Sequence, residues 1–177
     1  MKAFTTAVWL LPIVFMLHDF EEILLMKPWL HKNGDVLKKR FPRFAPMIAH
    51  QQGLSTAAFA LAVAEEFIII SAVTALAYMF SSYAAWFAVL MAFALHLIMH
   101  IGQSLMIKGY VPAVATALPA MAYCGWALWL AAGQGLFTIG QGILLTLLGT
   151  AAIVINLWLA LKLAAWFDRR INRTDKI

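Results

Sequence analysis

The chain has 177 residues, of which 64% are hydrophobic and 12% charged, with a net charge of +5 and a mean hydropathy of +0.85. A soluble domain is nearer half apolar and a quarter charged, and a water-soluble fold of this size would leave much of that apolar area facing solvent. Soluble enzymes and nucleic-acid binders are excluded, and so are disulfide scaffolds, since Cys124 is the single cysteine and reads as a small buried hydrophobe.

Five helices are predicted. The first runs from about Ala3 to Met26, carries Pro12 inside it and is expected to stop at Lys27-Pro28. No small-x-small cleavage site follows its apolar run, so it reads as a retained helix rather than a signal peptide. The second covers about His50 to Met79 and the third about Tyr83 to Ile107, ended by Lys108-Gly109. The fourth runs from about Val111 to Ala132, with Pro112 suited to a first helical turn. A stretch with four glycines, Gly133 to Gly142, reads as a turn, and the fifth helix covers about Ile143 to Phe167. Residues Gly109 to Leu161 hold no Lys, Arg, Asp, Glu or His, and about 20 apolar residues cross a bilayer. The expected fold class is therefore all-α: one domain, residues 1–177, forming an integral membrane bundle of about five transmembrane helices.

Charge sets the expected topology. Lys27, Lys32, Lys38, Lys39, Arg40 and Arg43 lie in the first connection, residues 27–49. Lys108 lies in the third, and Lys162, Arg169, Arg170, Arg173 and Lys176 lie at the C-terminal end. That places twelve of thirteen basic residues on one side, with Lys2 alone opposite. By the positive-inside rule the N-terminus is outside and the C-terminus cytoplasmic, with the plasma (inner) membrane of a prokaryote as the expected location. Between Pro28 and Pro46, Leu30, Val36, Leu37, Phe41 and Phe44 alternate with basic residues. This suits a solvated cytoplasmic loop, with a short interfacial helix against anionic headgroups as an addition.

The informative residues are acids inside the spans: Asp19, Glu21 and Glu22 on the first helix, Glu65 and Glu66 on the second. A charge at a helix centre costs roughly 2.5–3.5 kcal/mol on insertion scales, so these groups must be protonated, paired or metal-bound. The available basic partners within the spans are His18, His96 and His100. His18 shares a helix side with Glu21 and Glu22 at spacings of three and four, and His96 and His100 are four apart. His18 lies nine residues from Lys27 and His96 twelve from Lys108, so both sit toward the basic end of the bundle. His96 and His100 extend a small-residue stripe, Ala84, Ala88 and Ala92, and Glu66 extends Ala58 and Ala62; such stripes let helices approach.

Imidazole and carboxylate are ligands for zinc, iron or manganese. His18, Glu22, His96 and His100 are the expected metal ligands, with Glu66 as a fifth and Glu21 as general base or acid. His18-x-x-Glu21-Glu22 resembles the inverted zinc-protease pattern H-x-x-E-H, with Glu22 in place of the second histidine. The inventory also matches a di-metal carboxylate bundle. The bland alternative is a protonated network that only ties helices together. His31 and His50 lie near the surface and outside the cluster, and Asn156 reads as a packing hydrogen bond on the fifth helix.

His18-Asp19-Phe20-Glu21-Glu22, a later histidine (His96 or His100) and Tyr110-Val111-Pro112-Ala113 together resemble the HXXEE-domain family, small membrane proteins with a later histidine and a Y-x-P-G motif. Ala113 stands where that family has glycine. The resemblance implies a membrane protein and carries no particular reaction with it. The functional expectation is a membrane-embedded metal-dependent enzyme, a hydrolase in its simplest form, acting on a lipid or apolar small molecule from within the bilayer. A proton or metal-ion carrier using the same groups and a non-catalytic membrane subunit are the rivals; the oligomeric state stays open.

Overall fold

A computed structural model describes residues 2–174, with side chains described through Ile171. The side chain of Arg173, and Lys176 altogether, lie outside it. Among the described residues six α-helices follow one another: α1 (Lys2–Arg40), α2 (Ala45–Gly53), α3 (Thr56–Met79), α4 (Ala84–Ile107), α5 (Val114–Gly133) and α6 (Ile139–Thr174), with a 3-10 turn at Pro42–Phe44. Four of them, α3 to α6, are long and apolar enough to cross a membrane.

α1 does not stop at Lys27-Pro28, as the proline predicts, but runs on to Arg40. Tertiary contacts outweigh the local signal there. Leu30 and Leu37 bury against Ile48 of α2, and a side chain at Gly34 would collide with that of Gln52, whose amide donates to the Leu30 carbonyl at 3.0 Å. Trp29 donates to the Tyr110 carbonyl, and the Arg40 guanidinium donates to the carbonyls of Met106 and Ile107. Arg40 thus caps the C-terminus of α4, where free carbonyls and the negative end of the helix dipole favour a cation. The expected second helix from His50 is broken by an extended Leu54-Ser55, and Ser55 caps α3 by accepting the Ala58 N–H at 3.1 Å.

Pro12 leaves α1 unbroken. A proline has no N–H for the carbonyl four residues earlier, here that of Val8, and the indole N–H of the fully buried Trp86 donates to it at 3.3 Å. Tyr123 likewise donates to the Ala7 carbonyl at 2.7 Å. Around these bonds α5 presents Ala117, Ala120, Cys124, Ala127 and Ala131, all buried, as a stripe of small residues at alternating spacings of three and four. Without bulky side chains, helix backbones come close and dispersion contact replaces the hydrophobic driving force that lipid does not supply.

The packing order closes into a ring: α1 lies on α3 and α5, α4 on α5 and α6, and α3 on α6. α1 and α4 face each other across the ring with their backbones apart. Large side chains fill that gap, among them Phe15 edge-on to Phe93 with centroids 5.7 Å apart. The polar residues of α1 and α4 meet in the same gap.

Candidate metal centre

His18 and Glu22 come from one face of α1, and His96 and His100 from one face of α4. The i, i+4 spacing stacks each pair one turn apart, so two antiparallel pairs oppose each other. One donor atom from each of the four residues lies within 4.8 Å of all the others. His100 Nε2 is 2.8 Å from Glu22 Oε1 and 3.0 Å from His96 Nε2, and the His18 ring centroid is 5.2 and 5.4 Å from those of His100 and His96. His18, Glu22 and His100 are buried, while His96 is half-buried.

The donor set fits a cation. Three imidazole nitrogens and one carboxylate oxygen make four ligands, and bonds of about 2.0–2.2 Å around one ion place its ligands about 3.3–3.6 Å apart, inside the spread found here. His18 Nε2 is buried and has no hydrogen-bond partner among the described residues. A buried nitrogen lone pair without a partner is costly in an apolar interior, and this one belongs to a ring that packs against both other histidines.

The other nitrogen of His18 has a partner. Nδ1 lies 3.1 Å from Thr116 Oγ1, which donates in turn to Glu21 Oε2 at 2.6 Å. Metal-binding histidines characteristically have the far ring nitrogen held in this way, which fixes tautomer and ring orientation. Glu21 does more than hold Thr116. Its Oε2 accepts the Thr116 backbone N–H at 2.8 Å, and its Oε1 accepts the Tyr110 hydroxyl at 2.6 Å. Thr116 occupies the third position of α5, whose own cap residue Ala113 supplies no side-chain bond. The carboxylate of α1 therefore caps α5 from across a helix boundary, where free N–H groups and the positive dipole end favour an anion. Tyr110 sits in the α4–α5 connection, where burial and then the Glu21 carboxylate push its hydroxyl up to about 12, so it remains a donor.

The structure thus gathers four of the expected ligands and separates two expected participants from them. Glu66 lies outside the four-residue group, on the wall of a cavity that also reaches His96. Glu21 faces α5 and connects to the cluster through Thr116. His31 and His50 are exposed. Asn156 does make a hydrogen bond, donating to Glu65 Oε2 at 3.1 Å. Sequence reasoning assigned no role to Thr116, whose hydroxyl lies in an apolar stretch and 95 residues from Glu21. It also left Asp19 unassigned; that residue is buried, with Oδ2 unpartnered among the described residues.

The family described as "Protein of unknown function with HXXEE motif" matches residues 9–127. The chain belongs to this family. The expected resemblance is borne out, and the matched stretch contains all four clustered residues together with Glu21, Tyr110 and Thr116. It ends within α5, so α6 lies beyond it. No curated protein and no solved structure matches the chain. Each polar residue of the HXXEE motif has its own place here: His18 and Glu22 in the cluster, Glu21 on the N-terminus of α5. The segment resembling Y-x-P-G contributes the hydroxyl that meets Glu21 and the turn that starts α5. Ala113 in that turn has φ 76°, a left-handed backbone in which the family's glycine is unstrained.

Proposed function

We propose that His18, Glu22, His96 and His100 hold a divalent cation (zinc, iron or manganese) and that the protein is a membrane-embedded metal-dependent enzyme acting on a lipid or apolar substrate. The observation that carries this reading is the convergence of four buried or half-buried donor atoms within 4.8 Å, one of them an imidazole nitrogen with no other partner. A cation there supplies Lewis acidity and a water of lowered pKa, and hydrolysis is the simplest chemistry that uses both. Glu21, Thr116 and Tyr110 act as positioning residues for His18; Glu21 takes this role in place of direct proton transfer at the metal.

In this reading α1 joins the four apolar helices as a fifth span. The N-terminus lies outside, and the basic end with Lys27, Arg40, Lys108 and the C-terminus faces the cytoplasm of a prokaryotic inner membrane. The test is metal analysis of the full-length chain purified in detergent. One ion per chain is expected, lost in His18→Ala and Glu22→Ala and retained in Glu66→Gln. Absence of stoichiometric metal, with unchanged folding in both alanine variants, would refute the centre.

A further inference from the structure

α6 packs on α4 and on α3 through small residues. Near its start Gly149 lies against Ala88 of α4, so close that a methyl group there would collide with the Ala88 carbonyl. Near its end Ala160 and Ala164 bury against Ala58 and Ala62 of α3. Alongside the Gly149–Ala88 contact and reaching beyond it to Ala84 and Leu145, α3, α4 and α6, with Phe15 of α1, leave a cavity of about 510 Å³, within the usual range for small-molecule sites of roughly 300–1,000 Å³. Four alanines of its α4 wall, Ala84, Ala85, Ala88 and Ala92, are small enough to leave this space open beside Val89 and Phe93.

Its polarity is one-sided. One end is walled by Ala84, Ala85 and Leu145, and the other by His96, Glu66 and Asn156. From Ala84 to His96 is twelve residues, about 18 Å along the helix, close to the roughly 15 Å depth of one leaflet's hydrocarbon, half of the ~30 Å core. Glu66 accepts no hydrogen bond among the described residues, and Glu65 beside it is engaged by Asn156. The Glu66 carboxyl at the polar end disfavours an anionic headgroup.

We infer that this cavity seats the single hydrocarbon chain of an uncharged long-chain ester or amide. The methyl end lies at Ala84 and Leu145 and the polar group beside His96 and Glu66. This deepens the reading above, on which it rests for the purpose of the polar end, by naming the substrate class. Its α3, α4 and α6 walls are helices long and apolar enough to cross a membrane, which sets the cavity beside the acyl chains of the bilayer.

The test uses the full chain in phosphatidylcholine nanodiscs with two monoacylglycerol probes. One carries a diazirine at the methyl end of the chain and the other carries it next to the ester. After irradiation and mass-spectrometric mapping, the first is expected to mark residues 84–89 and 145–149, and the second the surroundings of His96 and Glu66. A free fatty acid of the same length is expected to label less. Ala92→Phe, or Ile153→Trp if the first variant does not fold, should abolish both marks and leave metal content unchanged. Labelling spread evenly over the outer faces of all helices, chain-to-chain crosslinks, or preference for the free acid would each overturn the inference. Polarised labelling on a metal-free protein would defeat the metal reading and leave the chain site standing.

Discussion

Thr116→Val removes one hydroxyl and keeps the branched shape of the side chain. The bridge from Glu21 to the His18 ring then breaks at its middle, since Thr116 Oγ1 lies 3.1 Å from His18 Nδ1 and 2.6 Å from Glu21 Oε2. Glu21 keeps the Thr116 N–H and the Tyr110 hydroxyl, so α5 stays capped and the helix is expected to remain in place. What His18 loses is the group that fixes its ring. Loss of such a partner costs 10–100-fold in metal affinity, about 1.4–2.7 kcal/mol. Loss of one hydrogen bond to a charged carboxylate adds about 1.5 kcal/mol of lost stability in the metal-free protein. The first quantity is read by competition with a chromophoric chelator, and the second by thermal unfolding in detergent. Thr116→Ser keeps the hydroxyl and should restore most of the affinity. Parental metal affinity in Thr116→Val, or no recovery in Thr116→Ser, would refute the idea that the hydroxyl orients His18.

Two further outcomes test the packing. Gly149→Ala drives a methyl group into the Ala88 carbonyl and should destabilise by about 1–3 kcal/mol; an unchanged melting temperature would mean that α6 does not lie on α4 at this level. Ser55→Ala removes the acceptor for the Ala58 N–H and should cost about 1 kcal/mol, read as a lower melting temperature with metal content preserved.

The four apolar helices are legible in the sequence because length and hydropathy are properties of single segments: the predicted spans cover α3 and α4 and most of α5 and α6, although α6 starts at Ile139, inside the predicted glycine turn, and runs on to Thr174. The clustered side chains are legible for a similar reason: i, i+4 spacing fixes which face a residue occupies, and the first three predicted spans hold no Lys or Arg, which leaves imidazole as the basic partner for their carboxylates. The extension of α1 past Pro28 is not legible. Local rules end a helix before proline, and the contacts that override them come from α2, Tyr110 and the end of α4. The basic residues of the first connection read as topology signals, and the sequence gives no hint that Arg40 also closes α4 or that Lys27 donates to the Leu54 carbonyl. Glu21 is the clearest case. Its neighbours in the motif suggest proton chemistry, yet its partners are 89 and 95 residues away, and one of them is a backbone N–H that no side-chain pattern reveals.

Across the ring, α1 and α4 touch through rings and carboxylates while their main chains stay apart. An ion at that spot would act as a rivet between the two arms of the structure. Its arrival or departure would then be felt as the tightness of the whole barrel of helices, and equally, anything that prised those arms apart would loosen the grip on the ion.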